Sequence, residues 1–423
     1  MPDDLVNSLP PDLDPAPVHD ATEASARLLE QADRLLYIDI RGAGALGQKV
    51  LDATRDDPTL ALRGEAHFHV AFALARTGQA ERGVAHNELA RASFAAHDDA
   101  RGLLMCDQFD ALHLQIQGKL QESLALHLRI LARSADVARR PIDLYICHNS
   151  RAITRKLLGQ HDDMLRDFYK ALATAKSCDW PGPHLNSLTN LGGSHTDLWN
   201  LGEAQKLSEQ ALDLAETAGA WSSFAVAVFN LAQIYDGLEL HERCAAMLER
   251  IRRNKDRILP GVLARNTPLM AIAHLCAGDV EGAGAWLDPG ITPTAQVEPS
   301  IRTDHARAHA TWLLATGRAA QAREIVKAHL AAAAKTELQD PPYSRMRLLH
   351  VATDVCESLG DTACALRHLR EAQLLYETLW TAARAPASSP RRWPTRRPSH
   401  ATTATAPARR RSAPRSTAAG SPR

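Results

Sequence analysis

Aromatic side chains are scarce in this chain, at 5% of 423 residues, and β-branched runs are almost absent. A sheet-based fold therefore has little to build on. The seven cysteines include no C-x-x-C pair; the closest two, Cys356 and Cys364, stand eight apart. That spacing argues against a zinc finger and against a disulfide framework, and leaves the cysteines as small hydrophobes. No apolar stretch approaches the ~20 residues of a membrane helix. The start, Met1-Pro2-Asp3-Asp4, is acidic and proline-containing, unlike a signal peptide. These absences point to a reducing, cytoplasmic setting without membrane contact.

Signatures of catalysis are also missing. The segment GAGALG at 42–47 lacks the preceding strand and the Lys-Ser/Thr end of a phosphate loop. Neither G-x-S-x-G nor H-E-x-x-H occurs. His67 and His69 are two apart and face different ways on a helix. His305 and His309 share a face but have no evident third ligand. The acidic pairs Asp98-Asp99 and Asp162-Asp163 fall at helix starts, where they suit capping and the helix dipole better than proton transfer. No enzyme activity, metal or cofactor is expected.

What is abundant is Ala and Leu, which lose little side-chain freedom in a helix. Hydrophobic residues make up 45% of the chain, enough for a large core. The formal charge of zero hides two parts. Residues 381–423 hold ten Arg and no Asp, Glu or Lys, so the other 39 basic and 49 acidic residues give 1–380 a net charge of −10. An acidic body is a poor match to nucleic acid, whose phosphates need Lys and Arg.

A repeat dominates the body. An apolar helical segment ends, Gly follows, and a polar, Ala-rich segment begins at Gly78, Gly118, Gly159, Gly202, Gly278, Gly317 and Gly360, with Glu239 marking a degenerate unit. The successive intervals are 40, 41, 43, 37, 39, 39 and 43. Gly suits the left-handed backbone at a helix C-terminus. Five residues beyond most anchors stands a small residue (Gly83, Ser123, Cys244, Ala283, Ala322, Ala365), which lets the second helix approach the first; Met164 and Leu207 break the rule. Each unit reads as a helical hairpin whose apolar stripe is buried only by stacking on neighbours.

The pattern predicts pairs at about 22–37 with 44–55, 59–77 with 79–96, 99–117 with 119–137, and 141–158 with 160–177. It continues with 182–201 and 203–218, 220–236 and 240–257, 260–277 and 279–287, 299–316 and 318–335, and 341–359 with 361–380. Pro58, Pro141, Pro181, Pro260 and Pro341 fall between units, where proline can open a helix. Residues 288–299 read as a loop and 1–20 as disordered. The tryptophans at 180, 199, 221, 286, 312 and 380 sit near helix ends, suited to packing between units.

Residues 227–235, AVFNLAQIY, resemble the first helix of a tetratricopeptide repeat: a small residue, then Asn-Leu-Gly/Ala, then Tyr. The segment SLTNLG at 187–192 repeats this, EAQKLSEQALDLA at 203–215 resembles the second helix, and CHNSRA at 147–152 is a weaker copy. The resemblance covers about 59–380, with a period near 40 rather than 34. It implies an all-α, right-handed solenoid of about nine antiparallel helix pairs. Arrays of this long-period kind resemble those of bacterial regulators, in which the repeats often precede an output domain such as a GGDEF-type diguanylate cyclase. No GGDEF-like segment occurs here.

The resemblance also implies a site. First helices line a concave groove, faced by the Asn of Asn-Leu-Gly, which here corresponds to Asn149, Asn190 and Asn230. Arg151 and Gln233 lie on or near that face. Amides of this kind can hold the backbone of an extended protein or peptide partner; they can equally bond within the array. The expected role is a sensory or regulatory interaction module.

Residues 381–423 contain no Leu, Ile, Val or Phe and cannot form a core. Two readings stay open. One is a basic tail for nucleic acid or an acidic partner. The other is a shifted reading frame: one base earlier, the codons of Trp380 and Thr381 yield Asp, Ser388 and Ser389 can become apolar, and the helix can continue. The chain would then be the sensor half of a longer protein.

Overall fold

The computed structural model describes residues 21–57, 59–137, 140–258, 262–263, 266–287, 299–334 and 340–382. The expected disordered start, the loop at 288–298 and the tail beyond Ala382 lie outside these residues. Eighteen α-helices and no strand occur among the described residues. They form nine antiparallel pairs in a right-handed solenoid: α1 (Ala21–Leu35) with α2 (Ile40–Ala53), α3 (Leu62–Arg76) with α4 (Ala80–Ala96), and α5 (Ala100–Ile116) with α6 (Leu120–Val137). Next come α7 (Pro141–Leu157) with α8 (His161–Ala175), α9 (Pro181–Asp197) with α10 (Leu201–Thr217), and α11 (Trp221–Gly237) with α12 (His241–Arg253). The last three are α13 (Thr267–Cys276) with α14 (Val280–Trp286), α15 (Pro299–Ala315) with α16 (Ala319–Ala333), and α17 (Pro342–Ser358) with α18 (Thr362–Ala382).

Local chemistry sets the boundaries. Proline opens α7, α9 and α17. Asp39, Asp99, Asp279 and Asp361 accept from the N–H groups of Gly42, Gly102, Gly282 and Cys364 at 2.8–3.1 Å, filling donors that the first turn leaves bare. The Asp39 cap explains why α2 begins at Ile40 and not near 44. The α13 helix is shorter than the 260–277 expected, and starts at Thr267 just after its Asn266 cap, with Pro268 in its first turn.

From the second pair onward, each hairpin turns on one left-handed residue. Gly78, Gly118, Gly159, Gly278, Gly317 and Gly360 have φ between +70° and +86°. In the fifth repeat unit the residue is Trp199, φ +59°, not Gly202, which lies inside α10. The helix α9 therefore stops three residues earlier than a glycine marker suggests. Glu239, φ +59°, makes the same turn between α11 and α12. With Trp199 in place of Gly202 the intervals become 40, 41, 40, 40, 39, 39 and 43. The small-residue rule then extends to this unit as well: five residues beyond Trp199 stands Ala204, fully buried. A Cβ at Gly83 would stand 2.8 Å from the Ala71 carbonyl oxygen, which shows how close the helices come there. Met164 remains the exception.

From α3 onward, consecutive first helices touch one another, whereas second helices meet mainly the first helices beside them. The first helices are thus the inner, concave row. The largest apolar cluster runs from α7 to α13, around Phe168, Leu188, Phe224, Leu231 and Met247. The coil also closes on itself. Tyr343 of α17 donates to the Gln233 carbonyl (3.3 Å), and its ring lies 5.4 Å from that of Trp199. Of the other tryptophans, Trp286 donates to His274 and Trp312 to the Val280 carbonyl, tying neighbouring elements together.

Candidate functional site

The inner faces of α3, α5, α7 and α9 enclose a cavity of about 270 Å³, roofed by the α1–α2 elbow at residues 36–40. The roof is anchored far from its own unit. Tyr37 meets Tyr145 edge-on at 5.1 Å, and Asp33 pairs with Arg140 at 3.1 Å. Leu36, Ile38, Phe68, Phe72, Ile146 and Ile153 supply an apolar wall. Set into it are Gln108, Gln115, His127, Asn149, Asn186 and Asn190. Apolar walls with a few fixed polar groups are the usual make-up of a ligand site.

Two of the expected residues meet here. Asn190 Nδ2 donates to Asn149 Oδ1 at 2.9 Å and to Asn186 Oδ1 at 3.0 Å. Tyr145 Oη also donates to Asn186 Oδ1, at 2.7 Å. This chain of bonds fixes which way each amide presents its remaining groups. Asn230 lies one unit further along, its Nδ2 donating to the Thr189 carbonyl at 3.4 Å. Gln233 sits apart from the cavity, facing Asp304 of α15 at 3.4 Å. Arg151 is placed differently again. It is buried, and its guanidinium donates to both oxygens of Asp167 on α8, at 2.7 and 2.5 Å, so its charge is engaged inside the α7–α8 pair.

Gln108, His127 and Asn186 were not among the expected residues. Gln108 stands 41 residues before Asn149, and Asn190 stands 41 after it, so one amide recurs per unit along the inner row through Asn230. That register was the available signal for Gln108. Its Nε2 donates to Cys147 Sγ at 3.1 Å, while its buried Oε1 has no protein partner. His127 is 2% exposed, and neither ring nitrogen has a partner. Burial, helped by the nearby Arg151 charge, lowers its pKa to about 4, so it is neutral near pH 7 and offers one donor and one acceptor. Orphaned buried polar atoms are costly, and three of them gathered in one cavity call for a partner from outside.

A second polar cluster joins α11, α15 and α17. Asp236 accepts from Arg307 at 2.7 Å and Arg347 at 2.8 Å. Burial alone would raise this carboxyl, but Arg347 and Arg307 outweigh it and hold it at about 2. Asp304, 3.5 Å from Arg307 Nε, is pushed the other way by burial, to about 6. This cluster is a structural clasp: Asp236 is held by two guanidinium groups, and its bonds join helices some 110 residues apart.

No protein-family model matches the sequence and no curated protein is similar to it. Solved structures are similar in fold. A Rap protein complexed with Competence and Sporulation Factor superposes with TM-score 0.58 at 13% identity, covering 85% of this chain and 99% of that one. RapI in its apo form gives 0.54 at 10% identity over 85% and 99%. NprR in complex with its cognate peptide NprX gives 0.50 at 13% identity over 75% and 98%. The fold is a tetratricopeptide-type solenoid. Among the described residues, no helix of this solenoid is long and apolar enough to cross a membrane.

Proposed function

We propose that the protein is a peptide-binding regulatory scaffold whose concave row receives a short, extended peptide. The observation that carries this reading is the cavity itself: an apolar wall, an oriented amide ladder, and unpartnered Gln108 Oε1 and His127 nitrogens. A peptide backbone supplies one N–H and one C=O per residue, which is the complement of carboxamides and a neutral imidazole. An apolar side chain of the peptide would fill the wall around Phe72 and Ile153. Carboxamides do not ionise near neutral pH and so offer no general acid or base, and the row binds and orients its ligand. Similarity of fold to a Rap protein and to NprR, both solved with bound partners, supports the same reading. Asn149 and Asn190 hold the peptide, and Asn230 extends the row. Gln233 and Arg151 act through the clasp and through the α7–α8 pair.

Panning a library of short linear peptides on the full chain tests this. Enriched peptides should lose about tenfold or more in affinity for Asn190→Ala and for Phe72→Ala, because each change removes a group that lines the cavity. If the library yields no binder, or if binders ignore both substitutions, the reading is wrong.

A further inference from the structure

The last hairpin carries a group of side chains that neither the groove nor the clasp uses. Cys356 lies in the last turn of α17, while Cys364 and His368 lie one turn apart on α18. One ligand atom from each lies within 4.8 Å of the other two. We infer that Cys356, Cys364 and His368 form a binding site for a thiophilic divalent cation of the zinc class, which staples α17 to α18.

Three observations support the site. The donor set is two thiols and an imidazole, the ligands that favour zinc and its soft neighbours over calcium or magnesium. Tetrahedral zinc, with bonds of about 2.3 Å to sulfur and about 2.0 Å to nitrogen, sets ligand atoms roughly 3.3–3.8 Å apart, so the three need to close by about 1 Å or so at most. The backbone between them is already fixed. Asp361 N–H donates to the Cys356 carbonyl at 2.9 Å, and Asp361 Oδ1 accepts from Cys364 N–H at 2.9 Å. The turn at Gly360 thus folds the eight-residue interval back on itself, which linear spacing does not reveal. Cys356 is buried, whereas Cys364 and His368 are half-buried. A cation can therefore enter from the solvent side and keep water as its fourth ligand. Binding releases two thiol protons to solvent, so affinity falls as the medium becomes acidic.

The Asp33, Glu65 and His69 group is also close-set, but its Asp33 already pairs with Arg140 and its histidine is fully enclosed. It lacks both the thiols and the open side.

The test uses the full chain, reduced and stripped with a chelator, then titrated with zinc and separately with cobalt. Wild type should take up one equivalent, show thiolate-to-cobalt charge-transfer absorption, and melt higher with zinc. Cys364→Ser and His368→Ala should each weaken uptake by about tenfold or more and lose the absorption, while Cys178→Ser behaves as wild type. His368 is partly exposed, so its replacement tests the site without emptying the core. Equal uptake by wild type and both variants would overturn the proposal. So would a wild-type chain that takes up no metal when reduced and instead closes a Cys356–Cys364 disulfide in air.

Discussion

Glu239 makes its left-handed turn with an exposed side chain and no glycine to ease it. A Cβ in that conformation costs roughly 1–2 kcal/mol, and glycine gives back about 0.5–1 kcal/mol through its freer unfolded chain. Glu239→Gly should therefore stabilise the protein by about 0.5–1 kcal/mol, read as a higher urea midpoint. Trp199 has the same backbone but a different balance, since its ring packs on Tyr343 at 5.4 Å and Tyr376 at 6.4 Å. Trp199→Gly should lower the midpoint. An unchanged or reduced midpoint for Glu239→Gly would mean that its backbone carries no strain. The same contrast shows why Gly202 misleads as a marker: glycine is the usual left-handed residue, but a tertiary contact can hold an aromatic there, and no local pattern announces that contact.

Among elements, the meeting of α11, α15 and α17 responds to pH through two carboxylates of opposite behaviour. Asp236 is held at about 2, so its contribution is present above about pH 4 and is lost as pH falls through 2. Asp304 is raised from its ordinary 3.8 to about 6. Its protonated form suits the fold, so that contribution is full below about pH 4 and is lost as pH rises through 6. Asp304→Asn keeps an acceptor for Gln233 and removes the buried charge. The variant should match wild type near pH 4 and exceed it near pH 7.5, by up to about 3 kcal/mol. Thermal melts at the two pH values decide; a gap that does not change with pH removes Asp304 as its source. The helices of this clasp were legible from periodicity, and its long-range pairing was not. Asp236 and Arg347 are 111 residues apart, and only the curvature of the stacked units brings them together. The same holds for the cavity. Asn149 and Asn190 followed from the resemblance to tetratricopeptide first helices, and Gln108 could have followed from its register. The roof at 36–40 comes from an atypical first pair, and His127 comes from a second helix, where no groove residue is sought. Arg151 was drawn away by Asp167, sixteen residues on in the next helix.

For the whole molecule, these two regions divide the solenoid. The clasp ties α17 back to α11, so curvature from the sixth unit onward is held by buried charge pairs. The cavity lies on the other side of that division, among α3, α5, α7 and α9, where the elbow bridges the inner helices. A solenoid is a series of nearest-neighbour interfaces, and a ligand spanning several of them shifts curvature by the difference in its affinity for the two shapes. A peptide seated from Gln108 to Asn230 spans four inner helices, so binding should tighten the first half and leave the clasped half unchanged. Small-angle scattering on the full chain should show a smaller radius of gyration when a peptide selected by panning saturates the groove. Arg347→Met, which removes one of the two cations on Asp236, should enlarge the free protein and leave peptide affinity within about twofold, because the groove and clasp share no side chain. Superimposable scattering curves with and without peptide would leave a rigid scaffold in place of a spring. Regulation would then act by occupying the groove and not by changing the shape of the array.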